Sequence, residues 1–375
     1  MKMIKIGFFG TRGIPAVYSG FETFVENITE RLSKMGYDVT VYSRLNYLQF
    51  PSRVYRGAKL VELPTIPQKH LDTIIHTFLS LLWSYLFERH EIAYICGVGN
   101  SSLLPLFKIL GYRTFLNVDG EDWRRAKWGK LSSFYLKLSE NLAAKFADFI
   151  IADAEEVKLY YEKNYGCNNV YYIPYGGSGI RETNSDVLFK FGLKKYKYIL
   201  FVGRLVPENG AHKLIKAFNE LRAPNLKLVI VGDAPYQEGY KKELYKMAQS
   251  KNKNSNIVFT GYQFGRNYRQ LSSFPFLYVL TAEVGGTHPV LVEQMAFGNP
   301  IIVCRTPSNY EVVKNGGVYF DGTVEDLKKK IIWCIKNKDK LSKISQIAKK
   351  RAEKYYNWKD IANRYNSLFL CQGDT

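Results

Sequence analysis

Cysteine is scarce in this chain. The five present among 375 residues, Cys96, Cys167, Cys304, Cys334 and Cys371, form no CxxC pair and no His–Cys cluster. That argues against a disulfide framework and against a zinc centre. Acids are short too: 34 Asp and Glu stand against 53 Lys and Arg, a net charge of +19. Long apolar runs are missing. The longest, IIHTFLSLLWSYLF (Ile74–Phe87), falls below the roughly 20 residues that cross a bilayer, and it reads as a core helix, with an interfacial helix as the alternative. The opening MKMIKIGFFG is shorter than the apolar region of a secretory leader and reads as a first buried strand. No GxGxxG fingerprint occurs. Neither does zinc-finger spacing, an RNP-like string or a clean helix-turn-helix, so the positive charge is not read as nucleic-acid binding. An anionic membrane surface together with phosphorylated small molecules remains as the acidic partner, with a reducing cytoplasm as compartment.

What is present is a folded composition, 46% hydrophobic and 23% charged, at a length that favours two domains. Apolar runs of strand length alternate with helical patterns: MIKIGFFG, then FETFVENITERLSKMG, then YDVTVYSR; later AYICGVG, RTFLNVDG and DFIIADA, each leading into a helix-like segment. This rhythm predicts parallel sheets covered by helices on both faces. It lapses near Val170–Ile180 and restarts at YKYILFVGRL. The expected architecture is α/β, two Rossmann-like domains facing each other across a cleft. Residues 1–175 bind the acceptor, 176–355 bind a nucleotide, and a terminal helix over 356–375 packs back on the first domain. Ligands of such sheets bind beyond the carboxyl ends of the strands.

Four stretches carry chemistry. GTRGIPAVYSGFETFVENI follows the first strand, and Gly10, Gly13 and Gly20 allow a backbone to pass close to a ligand. Arg12 sits in that loop with no evident packing role; the competing reading is turn geometry alone. NVDGEDWRRAKWGK places Asp119 at a strand end and interleaves Trp123 and Trp128 with Arg124, Arg125, Lys127 and Lys130. That suits a surface facing lipid phosphates or a solvated helix start. Asp119 and Asp122 do not make a DxD pair, and no metal is expected. FVGRLVPENGAHKLI puts Arg204 just past a strand, where its fork could hold a phosphate, and Glu208 before a helix. GGTHPVLVEQMAFGNP supplies a glycine-led helix start, Gly285, Gly286, Thr287 and His288, which is an anion site needing no metal. Glu293 follows, placed to accept hydrogen bonds from ribose hydroxyls.

With these motifs the chain resembles the GT-B glycosyltransferases, and more narrowly the retaining enzymes of family 4. FVGRL, VGDAP, FTGY, VEQMAFGNPIIV and YNWKDIANRY are similar to that family's nucleotide-sugar domain. GTRGIPAVYSGFETFVE, KHLDTIIHT and NVDGEDWRRAKWGK resemble a subgroup of bacterial rhamnosyltransferases that build capsule or cell-wall polysaccharide. The resemblance implies transfer of L-rhamnose from dTDP-L-rhamnose to an undecaprenyl-diphosphate-linked saccharide. It further implies retention, a β-1,4 linkage, no cofactor and a peripheral place on the inner face of the membrane. Arg204 would hold the donor diphosphate and share the catalytic role with Asp119. Glu293 would hold the ribose, Gly285–His288 would wrap the diphosphate, and Gly13 would close over the donor. Arg12, Trp123, Arg124, Arg125 and Lys127 would face acceptor and lipid.

Three positions depart from the family pattern. Gly285 stands where a glutamate is usual, with Glu283 a candidate substitute. Asn209 replaces a lysine. Asp119 replaces a histidine placed near a sugar 6-hydroxyl, which leans towards a 6-deoxy donor. A UDP-hexose or UDP-N-acetylhexosamine donor, a UDP-GlcNAc 2-epimerase-like isomerase and a nucleotide- or RNA-binding module stay open as alternatives.

Overall fold

The computed structural model describes residues 3–17, 20–47, 52–68, 71–120, 122–124, 129–221, 223–234, 237–249 and 256–371. These divide into two compact units, residues 1–175 with 358–375, and residues 176–357.

The first unit holds strands β1 (Lys5–Phe9), β2 (Asp38–Arg44), β3 (Val54–Tyr55), β4 (Ala58–Leu63), β5 (Ile92–Cys96), β6 (Arg113–Val118), β7 (Phe149–Ala152) and β8 (Val170–Tyr172). Its helices are α1 (Gly20–Lys34), α2 (Asp72–Phe87), α3 (Leu104–Ile109), α4 (Lys130–Phe146) and α5 (Glu155–Tyr165). The sheet runs β3-β4-β2-β1-β5-β6-β7-β8, parallel except at the β3–β4 pair. The central strands are apolar on both faces because helices cover both: IAYIC of β5 is buried at every position, as a doubly covered parallel strand requires.

The second unit holds α6 (Asp186–Lys190), β9 (Tyr198–Val202), α7 (Ala211–Asn219), β10 (Lys227–Val231), α8 (Glu238–Gln249), β11 (Ile257–Gly261), α9 (Gly265–Ser273) and β12 (Leu277–Leu280). It continues with α10 (Pro289–Ala296), β13 (Ile301–Cys304), α11 (Pro307–Val313), β14 (Val318–Phe320), α12 (Val324–Lys336) and α13 (Lys338–Tyr355). Among the described residues its six strands are all parallel, in the order β11-β10-β9-β12-β13-β14. Counted from β9 this is 3-2-1-4-5-6, the doubly wound order whose direction reverses between its first and fourth strands.

The last helix, α14 (Trp358–Leu370), belongs to the first unit. Trp358 and Tyr365 pack against Phe24 of α1, and the buried Tyr365 and Tyr94 hydroxyls lie 3.0 Å apart. Arg113 donates to the carbonyls of Phe369 and Leu368 at 2.9 and 3.0 Å, a cation on the negative end of the helix.

Helix α2 departs from the core helix expected of its sequence. Its buried side chains include Asp72, His76, Thr77, Ser80 and Ser84. Beyond Thr73 in its first turn, its exposed ones are apolar: Phe78, Leu82, Tyr85, Leu86 at 68% and Phe87 at 71%. The usual polarity of a surface helix is reversed, because the buried groups hydrogen-bond inside the fold. His76 Nε2 lies 3.1 Å from the Ser43 carbonyl, and the Ser84 hydroxyl meets His90 and Tyr112, each at 2.8 Å. Among the described residues no helix is long and apolar enough to cross a membrane.

Candidate active site

The second unit's topology brings Arg204 and the Gly285–His288 loop together. Arg204 follows β9 and the loop follows β12, the two strands that flank the reversal. The connections are tied to one another: the Thr281 hydroxyl donates to the Asn209 carbonyl at 2.6 Å. Gly210 (φ +69°) passes so close that an added Cβ would lie 2.9 Å from the Thr281 carbonyl oxygen. Asn209, where the family pattern has lysine, donates through Nδ2 to the Arg204 carbonyl at 2.8 Å. It shapes the turn that carries Arg204 and brings no charge. Arg204 is half-buried, and among the described residues it makes no ion pair. Both carboxylate oxygens of Glu208 are buried without a partner among the described residues, an arrangement that costs free energy unless something donates to them.

Helix α10 begins at Pro289, whose ring fixes the first helical residue, and its N-cap, His288, puts no side-chain oxygen on the first turn. The N-cap residue's own side chain therefore leaves the positive end of the helix open, as an anion site requires. The helix stops where the sequence says it should: Gly298 has φ +70°, its N–H donates to Met295 and the Asn299 N–H to Gln294, and Pro300 follows. Beneath it, Gln294 Nε2 donates to Ser272 (2.9 Å) and Asn299 Nδ2 to Gln294 Oε1 (2.6 Å). These bonds fix the orientation of α10 against α9.

Glu293 accepts a 2.6 Å hydrogen bond from the Tyr268 hydroxyl. Burial pushes its carboxyl up to about 7, against the opposing pull of that bond. A carboxyl titrating near neutrality is what burial does to an acid with one neutral donor. Tyr268 carried no signal in the sequence, since it lies in an ordinary polar helix. Glu283, the candidate substitute acid, is ion-paired with Lys213, which also donates to the Gly322 carbonyl at 2.9 Å. The cation missing at 209 thus recurs one turn later and is bound to Glu283.

In the first unit the reversal lies between β1 and β5, and the loop after β1 is held by protein. An added Cβ on Gly10 (φ +82°) would lie 2.6 Å from Asn100 Nδ2, and on Gly13 (φ +112°) 2.3 Å from Ser43 Oγ. The Arg12 N–H donates to Glu22 at 2.9 Å and the Gly13 N–H to the Thr11 hydroxyl at 2.8 Å. Arg12 does have a packing role, contrary to its sequence reading: its guanidinium lies over the Tyr47 ring, 4.6 Å from the centroid. Asp119 directly follows β6 and is half-buried. Its charge and that of Glu22 raise the buried Cys96 thiol further above its ordinary value, after burial itself.

Trp123 does not face outward as expected. It packs against the core formed by β5–β7 and their helices, with Lys137 Nζ 4.9 Å from its ring centroid; the large apolar ring is worth more buried than wet. The Arg124 side chain, Arg125, Lys127, Trp128, Lys69 and His70 lie outside the described residues.

Comparison with known proteins follows this division. Residues 185–351 match the family described as glycosyl transferases group 1, and residues 3–178 match a domain of unknown function, DUF1972. An uncharacterized glycosyltransferase of Methanocaldococcus jannaschii is 25% identical over 401 aligned positions, covering 98% of this chain and 99% of its own. The lipopolysaccharide 1,2-N-acetylglucosaminetransferase of Salmonella typhimurium is 26% identical over 182, covering 44% of this chain and 46% of its own. Sucrose-phosphate synthase from Thermosynechococcus elongatus superposes with a TM-score of 0.85 at 16% identity, covering 98% of both chains. Anabaena HepE in complex with UDP-glucose does so at 0.80 and 18%, covering 98% of this chain and 99% of its own. The solved structures carry the fold, and the family match and the relatives support the activity: the chain has the GT-B fold and is a glycosyltransferase with its donor sugar unspecified, residues 185–351 being similar to the group 1 family.

Proposed function

We propose that the second unit binds a nucleotide-diphosphate sugar, dTDP-L-rhamnose, and that the sugar passes to a lipid-diphosphate-linked saccharide bound by the first unit. The observation that carries the donor half is the meeting of Arg204 and the start of α10 at the sheet's reversal. Arg204 and the N–H groups of Gly285–His288 take the diphosphate, and Glu293 takes the ribose. In the transfer step the bond from the sugar's C1 to the diphosphate oxygen breaks and one from C1 to the acceptor oxygen forms. The acceptor's proton goes to the departing diphosphate. By the resemblance, Asp119 of the first unit would share the catalytic role with Arg204. Catalysis is positioning plus stabilisation of the leaving charge, without a metal.

The lipid-borne acceptor is supported by α2, which has no charged residue from Thr73 to Phe87 and turns its large apolar side chains outward. Set on a chain of net charge +19, such a face suits the headgroup region of an anionic bilayer. Sedimentation with anionic and neutral vesicles tests this. Leu86→Glu with Phe87→Glu should release the protein from anionic vesicles at low salt. Undiminished binding would remove α2 from the contact.

A UDP-hexose donor is the second reading, favoured by the relative named as an N-acetylglucosaminetransferase and by the UDP-glucose held in HepE. Thermal stabilisation by dTDP, UDP, GDP and ADP at matched concentrations separates the two. A ligand at about 100 times its dissociation constant adds roughly 2.7 kcal/mol, enough to rank them. A preference for dTDP supports rhamnose; a preference for UDP moves the donor to a hexose or its N-acetyl form.

A further inference from the structure

Behind the loop that carries Arg12 lies a buried polar cluster that the proposed transfer leaves without a part. Arg44, at the end of β2, is 2% exposed and pairs with Asp72 in the first turn of α2, NH1 to Oδ2, at 2.5 Å. Its other terminal nitrogen donates to the Thr73 hydroxyl at 3.0 Å. Thr65 donates to the second Asp72 oxygen, also at 3.0 Å. A tight turn, Tyr47 N–H to Arg44 carbonyl at 3.0 Å, folds Tyr47 back so that its hydroxyl donates to Asp72 at 3.2 Å. The ring of Tyr47 then faces two guanidinium groups, Arg12 at 4.6 Å and Arg44 at 5.9 Å. The main chain joins them as well, since the Arg44 N–H donates to the Arg12 carbonyl at 3.1 Å.

As a device for stability this cluster is poor. Arg44 Nε, Ser43 Oγ and His76 Nδ1 are buried with no partner among the described residues, and a buried ion pair with unmet donors repays little of its desolvation. What it does achieve is direction. Asp72 neutralises Arg44 inside the fold and fixes the Tyr47 hydroxyl. The oriented ring then forms a seat for the more exposed Arg12, whose planar cation stacks on aromatic faces as lysine does not. An arginine held this way has lost its rotamer freedom before any anion arrives.

We propose that Asp72, Arg44 and Tyr47 are positioning residues that aim the Arg12 guanidinium at the phosphate group of the acceptor. This rests on the reading of Arg12 as acceptor-facing. It goes beyond that reading by assigning the work to three residues that touch no substrate.

The test uses full-length protein and farnesyl diphosphate as a short soluble probe, with titration calorimetry on the wild type, Arg12→Ala, Tyr47→Leu, Tyr47→Phe and the Arg12→Ala/Tyr47→Leu double variant. Arg12→Ala should weaken the probe about tenfold or more, as loss of a charge-assisted contact does. Tyr47→Leu should come within about threefold of that loss, yet weaken binding less than about twofold further in the Arg12→Ala background, because coupled residues are not additive. Tyr47→Phe keeps the ring and should stay close to wild type. A ligand-free readout accompanies it: the Arg12 side-chain Nε–H resonance in ¹⁵N-arginine-labelled protein, assigned by its loss in Arg12→Lys. It should be dispersed in the wild type and Tyr47→Phe, and averaged in Tyr47→Leu and Asp72→Asn. Additive losses in the double variant, or an unmoved Arg12 resonance in Tyr47→Leu, overturn the clamp. If the wild type fails to bind farnesyl diphosphate, the acceptor reading of Arg12 falls, and the resonance alone decides whether the clamp exists.

Discussion

Each unit sends a glycine-bearing loop from a strand beside its sheet reversal into a helix, and the glycines serve different ends. After β1, Gly10 and Gly13 make room for the protein itself, since a Cβ on either would strike Asn100 or Ser43 at 2.6 Å or closer. After β12, Gly285 has a comparably unusual φ of +125°, but the nearest atom to an added Cβ is His288 Cε1 at 3.4 Å. The first loop is closed by its neighbours and the second is open to whatever comes to α10. Arg12 and Arg204 repeat the contrast: one is seated on a tyrosine, while the other makes no ion pair among the described residues. Similar local sequence can therefore mean packing in one place and ligand room in another. Only the surroundings, supplied by residues 30 to 90 positions away, decide which.

The largest effect expected from this contrast is on turnover. Arg204→Ala should cost about 3–4 kcal/mol of barrier, or 10²- to 10³-fold, by analogy with lost oxyanion donors. Nucleotide release measured with the preferred donor and a membrane fraction checks this. A rate within a few fold of wild type would take Arg204 out of the site. Next comes stability. Gly13→Ala combines a positive φ with a steric clash and should destabilise its unit by on the order of 2–4 kcal/mol. Gly285→Ala meets strain without a clash and should cost about 1–2 kcal/mol. Urea unfolding of both variants sharpens the comparison, and equal losses would break it. Gly285→Glu should in addition weaken donor use.

A smaller effect concerns Glu293. Its folded-state value of about 7 lies above the ordinary 4.5, so the folded chain keeps a proton that the unfolded chain releases. Stability is full below pH 4.5, falls as pH rises between 4.5 and 7, and stays lowered above. A shift of that size corresponds to at most about 3.4 kcal/mol. Glu293→Gln keeps an acceptor for Tyr268 and should flatten the pH dependence, gaining roughly 1–3 kcal/mol at pH 8 while losing nucleotide affinity. An unchanged pH profile in the variant would show that Glu293 is already ionised at neutral pH.

The strand–helix alternation made the fold class legible, because strands such as YILFV and IIVC are apolar on both faces only when helices cover both. Strand ends were legible too, and with them the positions of Asp119, Arg204 and the α10 start. What escaped was side-chain company. Trp123 was read outward from the cations beside it in sequence, yet its ring is packed inward with Lys137 over it. Tyr268, Lys213 and Tyr47 gave no signal because their partners Glu293, Glu283 and Asp72 lie 25 to 70 residues away. The outer face of α2 was read as core from its hydropathy, since composition does not say which side of a helix finds polar partners.

The measurement that tests the central claim most directly is calorimetric binding of dTDP and UDP to Arg204→Ala, Glu293→Gln and Arg12→Ala beside the wild type. The open loop of the second unit should be the nucleotide site. Arg204→Ala and Glu293→Gln should each weaken the better nucleotide at least about tenfold, some 1.4 kcal/mol, and Arg12→Ala should leave it unchanged. Loss of nucleotide binding in Arg12→Ala with Arg204→Ala and Glu293→Gln intact would reverse the roles of the two loops and contradict the account.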